Sequence, residues 1–215
     1  MAVARPPSPV GGRRASYDGV VPRLVLATRN PHKAEEFAEL LAPWTVGPLP
    51  DDVELPPETG STFAENATGK ARAAAEATGT ASFGDDSGIV ADALDGAPGV
   101  RSARFAGEDA TDAENLALFR SRVPAGSAIA YVCAIAYVDP VTGTEHHVEG
   151  RCTGTTAPEP RGTGGFGYDP IFLPDDAGVA AGRTMAELSP AEKAAISHRG
   201  IAARALLALL LADAG

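Results

Sequence analysis

The sequence predicts an α/β protein: one globular unit built on a mixed, twisted β-sheet flanked by helices. Three observations carry that prediction. Short apolar runs of strand length alternate with segments of helical periodicity, and Thr62/Glu65, Thr111/Glu114 and Ser189/Glu192 form capping boxes that mark helix starts. The apolar run 128–138 is followed, across a turn at Gly143, by a second extended stretch, which makes an antiparallel hairpin.

In chain order, residues 24–27 form a short apolar strand. Asn30 followed by Pro31 then supplies an N-cap and a first-turn proline for a helix that buries Phe37, Leu40 and Leu41. Residues 43–57, rich in proline and acid, read as a connection holding one strand. The Thr62/Glu65 box opens an Ala-rich helix running to about Thr78, with Gly69 as a tolerated flaw. Residues 82–94 read as two extended pieces around a turn at Gly88, followed by a loop at 95–99. The Thr111/Glu114 box starts a helix through about Arg122. Tyr131, Val132, Ile135, Tyr137 and Val138 suit a central strand, paired with residues 147–156. Residues 166–173 are a further strand candidate. A short helix follows Ser189 and Pro190, and Ser197 can cap the last one.

A chain of 215 residues with 44% hydrophobic content can bury a core of its own. Residues 1–22 carry three arginines among Pro, Gly and Ser, without a secretory apolar stretch, and read as a mobile tail or a misassigned start outside a domain spanning 23–215. The longest apolar run, at 201–212, is interrupted by Arg204 and falls short of the roughly 20 residues that cross a bilayer. No membrane role is expected. Cys133 and Cys152 stand apart from each other and from any metal spacing, as in a reduced, cytoplasmic protein. A net charge of -10 argues against tracking along a nucleic-acid polymer. An anionic substrate then requires a local positive pocket or a bridging cation.

Asp85 and Asp86, followed by Ser87 and Gly88, concentrate carboxylates of the kind that hold Mg²⁺ together with substrate phosphates. Adjacent strand residues point to opposite faces, so the two need not share a task. By turn chemistry alone the same run is a solvated acidic turn. Thr28, Asn30 and Lys33 place a hydroxyl, an amide and an ammonium around a helix N-terminus, which attracts phosphate, although Asn30 also reads as an ordinary cap. Residues 162–167 satisfy GxGxxG, but prolines precede and extended chain follows, so a dinucleotide fingerprint is refused. A flexible loop with Phe166 free to stack remains, or a Gly-rich turn with a buried Phe. On an unbroken helix His198 and Arg199 would lie about 140° and 240° from Lys193, so a break at Ser197 is needed for all three to converge. Without convergence they are surface charge. His146 and His147, beside Glu145, diverge as strand neighbours and read as a solvated strand end rather than a metal site.

These segments, taken in order, resemble the inosine triphosphate pyrophosphatase (Ham1-like) family from Arg23 to the C-terminus. The motifs are LATRNPHK at 26–33, ETGSTFAENA at 58–67, DDSG at 85–88, GAPGVRSARFAGEDATD at 96–112, GTGGFGYDPIF at 162–172 and ELSPAEKAAISHRG at 187–200. The resemblance implies an elongated, two-lobed α/β protein with a central cleft, usually a homodimer. It implies Mg²⁺-dependent hydrolysis of ITP, dITP and XTP to the monophosphate and pyrophosphate. Carried over by position, Asp86 resembles the proton acceptor and a metal ligand, Glu58 the second carboxylate near Mg²⁺, and Asp85 their support. Thr28, Asn30 and Lys33 match the phosphate-binding segment and Ser87 the substrate-contacting serine. Phe166, Gly167, Tyr168 and Asp169 match the nucleoside-binding turn, with Lys193, His198 and Arg199 completing the pocket. A pyrophosphatase preferring pyrimidine or canonical nucleotides, and a protein that binds nucleotide without turnover, are the rival readings.

Overall fold

The computed structural model describes residues 23–214, so the tail expected over 1–22 lies outside the described residues. The sheet is mixed and has six strands: β1 (Arg23–Leu26), β2 (Thr45–Pro48), β3 (Ser82–Ala91), β4 (Ala128–Val138), β5 (Glu145–Thr156) and β6 (Phe172–Pro174). Their spatial order is β2-β1-β3-β4-β5-β6. β1 runs parallel to both β2 and β3, and every pairing from β3 to β6 is antiparallel. Both parallel pairs are joined through helical crossovers, as a parallel connection requires. α1 (Pro31–Leu40) lies between β1 and β2, and α2 (Phe63–Thr78) between β2 and β3. α3 (Asp112–Arg122), α4 (Pro190–Ile196) and α5 (His198–Ala214) complete the set.

All three capping boxes form, at Thr62, Thr111 and Ser189. The Ala-rich face of α2 buries Ala67, Ala71, Ala74 and Ala75. Small side chains let the helix lie almost on the backbone of β3. A Cβ at Gly84 would stand only 2.5 Å from the Ala67 carbonyl oxygen. On the opposite face, α1 and α5 pack Phe37, Leu41, Ala202, Ala203, Leu206 and Leu210 against Phe83, Cys133, Ile135 and Tyr137. A second core cluster holds Ile89, Ala91, Phe119, Ile129, Tyr131, Tyr168 and Phe172. The two clusters draw on the two ends of β3 and β4, which makes two lobes on shared strands. Residues 85–88 sit at mid-strand, where the lobes meet.

Two expected elements differ. β3 is continuous through Gly88, because the whole segment pairs with β4, from Ser82 opposite Val138 to Ala91 opposite Ile129. Gly88 serves close packing there instead of a turn: a Cβ would collide with Ser102 and the Gly99 carbonyl. Residues 166–173 are also not one strand. A 3-10 turn, Asp169–Ile171, follows the Gly-rich loop, and pairing begins only at β6. Pro170 lacks the N–H that a ladder needs.

Other expectations hold. Only the 3-10 turn Asp169–Ile171 follows GxGxxG, not the α-helix that the dinucleotide fingerprint requires. His146 and His147 diverge, the first to Asp213 on α5 and the second to Thr68 on α2. The chain bends by 65° between α4 and α5. Among the described residues no single helix is long and apolar enough to cross a membrane.

Candidate active site

The site begins where β1 hands over to α1. The Asn30 side-chain oxygen accepts from the backbone N–H groups of His32 and Lys33 at 3.0 and 3.4 Å, while Pro31 takes the first helical position. The Thr28 hydroxyl oxygen accepts from the Asn30 N–H. Helix start and side chains therefore face one cavity of about 690 Å³, lined among others by Thr28, Asn30 and Lys33. Arg29, next in the run, turns aside and donates to the carbonyls of Leu49, Pro50 and Val53, pinning that loop.

Strand alternation then divides the acidic pair. Asp85, on the face shared with Phe83 and Ser87, is completely buried and bonded to Lys33 Nζ at 2.8 Å. Burial pushes its carboxyl up, and Lys33, Lys70 and Arg199 outweigh that and hold it below the ordinary carboxylate range. Asp85 is thus a buried counter-ion, not a member of a solvated turn. Asp86 points to the α2 side and lines the cavity. Its Oδ2 accepts from the Asn66 amide at 2.9 Å and its Oδ1 from the Ser87 N–H at 2.9 Å. Burial raises the proton affinity of Asp86, and Lys70 and the Asn66 hydrogen bond offset that only in part. A carboxylate with raised proton affinity, facing a cavity, is equipped to take a proton from water.

Glu58 arrives from the loop before α2. Lys70 Nζ donates to its Oε1 at 2.7 Å, and Arg104 holds its backbone carbonyl at 3.1 Å. Burial raises the Glu58 carboxyl, but Lys70 above all keeps it below the ordinary range, hence ionised at neutral pH. Lys70 is itself buried, and its charge is sustained by Asp85, Glu58 and Asp86.

The far wall is the Gly-rich turn. Asp169 organises it: Oδ1 accepts from the Tyr131 hydroxyl, and Oδ2 from the Phe166 N–H and Lys193 Nζ. Gly165, at a φ of 68°, is where the chain must pass over that carboxylate, and a Cβ there would strike Oδ2. Phe166 stacks on His32 with centroids 5.3 Å apart, and the Lys193 and Arg199 cations lie 5.2 and 5.1 Å from its ring. Gly167 donates its N–H to Asp112, and the Tyr168 hydroxyl donates to the Ser102 carbonyl.

The break at Ser197 has the expected consequence. Lys193 on α4 and Arg199 on α5 both reach Glu36, at 2.8 and 3.0 Å, and Arg199 also donates to the Ser87 hydroxyl. A Cβ at Gly200 would overlap the Ala194 carbonyl, so glycine permits the sharp junction. His198 is buried and stacked on Tyr131 at 4.7 Å, with its Nδ1 unpartnered. Burial, reinforced by Arg199, Lys193 and Lys33, drives its pKa well below the usual histidine value, so the ring is neutral at pH 7. A neutral imidazole offers one donor and one acceptor.

Every residue expected at the site is therefore found there or one contact behind it: Asp85 lies beneath the cavity floor, and Lys193 lines an adjoining cavity of about 300 Å³ shared with Phe166 and His32. Glu36, Asn66, Lys70, Arg104, Asp112 and Tyr131 were not singled out from sequence. Helical spacing carried a signal for two pairs, since Glu36 follows Lys33 by three positions and Lys70 follows Asn66 by four. The lining balances Arg29, Lys33, Lys70 and Arg199 against Glu58, Asp86, Asp112 and Asp169. In a chain of net charge -10 this cavity is locally less negative than its surroundings.

Solved structures repeat this fold. A HAM1 protein from Coxiella burnetii superposes with a TM-score of 0.76 at 41% identity, covering 89% of this chain and 99% of that one. A protein from Mycobacterium abscessus, described as a nucleoside-triphosphatase / dITP/XTP pyrophosphatase, gives 0.67 at 45% identity, covering 87% and 98%. A relative from Frankia alni named dITP/XTP pyrophosphatase is 47% identical over 201 residues, 87% of this chain and 96% of its own length. One from Mycobacterium tuberculosis with the same name is 46% identical over 212 residues, 89% and 95%. The Ham1 family model matches residues 24–209, which includes every side chain that builds the cavity, and the chain belongs to the Ham1 family.

Proposed function

We propose that this protein hydrolyses non-canonical purine nucleoside triphosphates, ITP, dITP and XTP, to the nucleoside monophosphate and pyrophosphate, with Mg²⁺ as cofactor. The observation that carries the reading is Asp86. It is a cavity-facing carboxylate of raised proton affinity, standing in the same 690 Å³ cavity as the Thr28–Lys33 helix start and Glu58. The relatives' names point to the same substrate class.

The donor set suits Mg²⁺, which takes oxygen ligands and is commonly held by one or two carboxylates together with substrate phosphates. Asp86 and Glu58 are the two carboxylates that would hold it. Among the described residues no group of three His, Cys, Asp or Glu stands together to hold a metal ion. When bound, the ion polarises the phosphoryl oxygens and offsets their charge.

The chain's own residues then divide the work. The Thr28 hydroxyl and the Asn30 side-chain NH₂ donate to phosphate oxygens, and Lys33 adds its charge beside them at the positive end of α1, whose own first N–H groups are capped by Asn30. Asp86 orients a water toward the α-phosphorus and takes its proton as the new P–O bond forms and the bond from the α-phosphorus to the bridging oxygen breaks, so that pyrophosphate leaves. The purine lies toward Phe166, Tyr168 and the His198–Arg199 turn. A keto oxygen at C6 accepts hydrogen bonds from His198 and Arg199, whereas the amino group of adenine leaves those donors unpaired. A homodimer in the cytoplasm, with no nucleic-acid polymer or membrane as partner, completes the proposal.

A panel of triphosphates with Mg²⁺, compared by kcat/KM, tests it. ITP, dITP and XTP are expected to exceed ATP by at least about 10²-fold, and leaving buried polar groups unpaired can penalise a substrate by as much as about 10⁴-fold. A preference for UTP or dTTP, or binding of ITP without turnover, contradicts the reading.

A further inference from the structure

Asn66 is buried and does not line the cavity, yet both ends of its amide are used by the site. Its Oδ1 accepts from the Gly60 N–H at 2.8 Å, and its Nδ2 donates to Asp86 Oδ2 at 2.9 Å. A backbone N–H can only donate, so the oxygen must face Gly60 and the NH₂ must face Asp86. The amide cannot flip without losing both bonds. Gly60 is part of the fit: a Cβ there would stand 2.6 Å from Asn66 Oδ1, so only glycine brings this backbone close enough. Asn66 thereby ties the strand that carries Asp86 to the loop that carries Glu58, two residues before Gly60.

We infer that Asn66 is a positioning residue that holds the Asp86 carboxylate and the Glu58 loop in one frame for attack on the nucleotide. It rests on the reading of Asp86 as the base. With Nδ2 on Oδ2 and the Ser87 N–H on Oδ1, the carboxylate plane is fixed from two sides, and the remaining lone pairs are left for the water and the Mg²⁺ of the proposed reaction. Removing the amide frees the carboxylate to rotate and the loop to drift, with no loss of any group that touches substrate.

The test uses full-length protein with Mg²⁺ and ITP, and the variants Asn66→Ala, Asn66→Asp and Asp86→Asn. Asn66→Ala is expected to lower the single-turnover rate of pyrophosphate release by about 10- to 100-fold, the scale of a misplaced catalytic group. An α,β-methylene analogue of ITP, titrated by calorimetry, should still bind one per chain with Kd within about threefold, because Asn66 makes no contact in the cavity. Asn66→Asp keeps the acceptor for Gly60 but sets a second carboxylate against Asp86. It should be at least as slow, and it carries the test if Asn66→Ala does not fold. In the Asp86→Asn background, Asn66→Ala should cost less than threefold more, since the two residues act as one unit. An unchanged rate in Asn66→Ala, a rate that falls only as far as the bound fraction falls, or a full additional loss in the double variant overturns the inference. An active Asp86→Asn single variant instead removes the reading of Asp86 as base, so the two failures are distinguishable.

Discussion

Asp86→Asn is expected to reduce kcat for ITP by about 10²- to 10⁴-fold, the usual contribution of a positioned general base. The change is nearly isosteric. The one remaining side-chain oxygen can still accept from Asn66, so the α2–β3 contact should survive at the cost of the bond from the Ser87 N–H. What disappears is a group able to take a proton from water, together with one of the two carboxylates proposed for Mg²⁺. Nucleotide affinity should remain largely intact, because Thr28, Asn30, Lys33 and the Gly-rich turn are untouched, while the Mg²⁺ concentration for half-maximal binding should rise. Steady-state kinetics and calorimetry on the same preparation check both halves, and a variant retaining a tenth or more of wild-type kcat would falsify the role assigned to Asp86.

The second large effect is on stability. Lys33→Met leaves Asp85, fully buried, without its 2.8 Å partner, and the next cation, Arg199 Nε, stands at 4.0 Å. Stripping one member from a buried ion pair typically costs about 3–5 kcal/mol, and the low end applies here because Lys70 and Arg199 still offset part of the Asp85 charge. Urea unfolding followed by fluorescence of the single Trp44, packed in the α1 core, measures it. The double variant with Asp85→Asn should recover much of the loss, since no buried carboxylate is left without its partner.

The sign of the pH dependence follows from the lowered pKa of Asp85. Its contribution is fully present above the unfolded-state value of 3.8 and is lost as pH falls through the lower folded value. The gap between wild type and Lys33→Met should therefore narrow below about pH 4. A gap that widens there would refute the pairing as the source of the effect.

Much of this arrangement was legible in the sequence. Capping boxes at Thr62, Thr111 and Ser189 located three helix starts, because capping is a local bargain between side chain and backbone. The angular argument at Lys193, His198 and Arg199 required a break, and the 65° bend supplies it. Asp85 and Asp86 were separable by strand parity alone. The Gly88 turn failed for an equally physical reason: glycine in a strand signals close approach as readily as a turn, and the partner that decides, Ser102, lies 14 positions away. Residues 166–173 failed because Pro170 and the Asp169 hub convert an apolar run into a 3-10 turn. Glu36 and Asn66 escaped because their partners, Lys193 and Asp86, are distant in the chain and only the fold joins them.

In the proposed reaction a water activated by Asp86 attacks the α-phosphorus. Hydrolysis of ITP in ¹⁸O-enriched water, with products analysed by mass spectrometry, reads the attacked atom directly. The label is expected in the inosine monophosphate, with the pyrophosphate unlabelled. Label in the pyrophosphate, or release of orthophosphate, would contradict the claim.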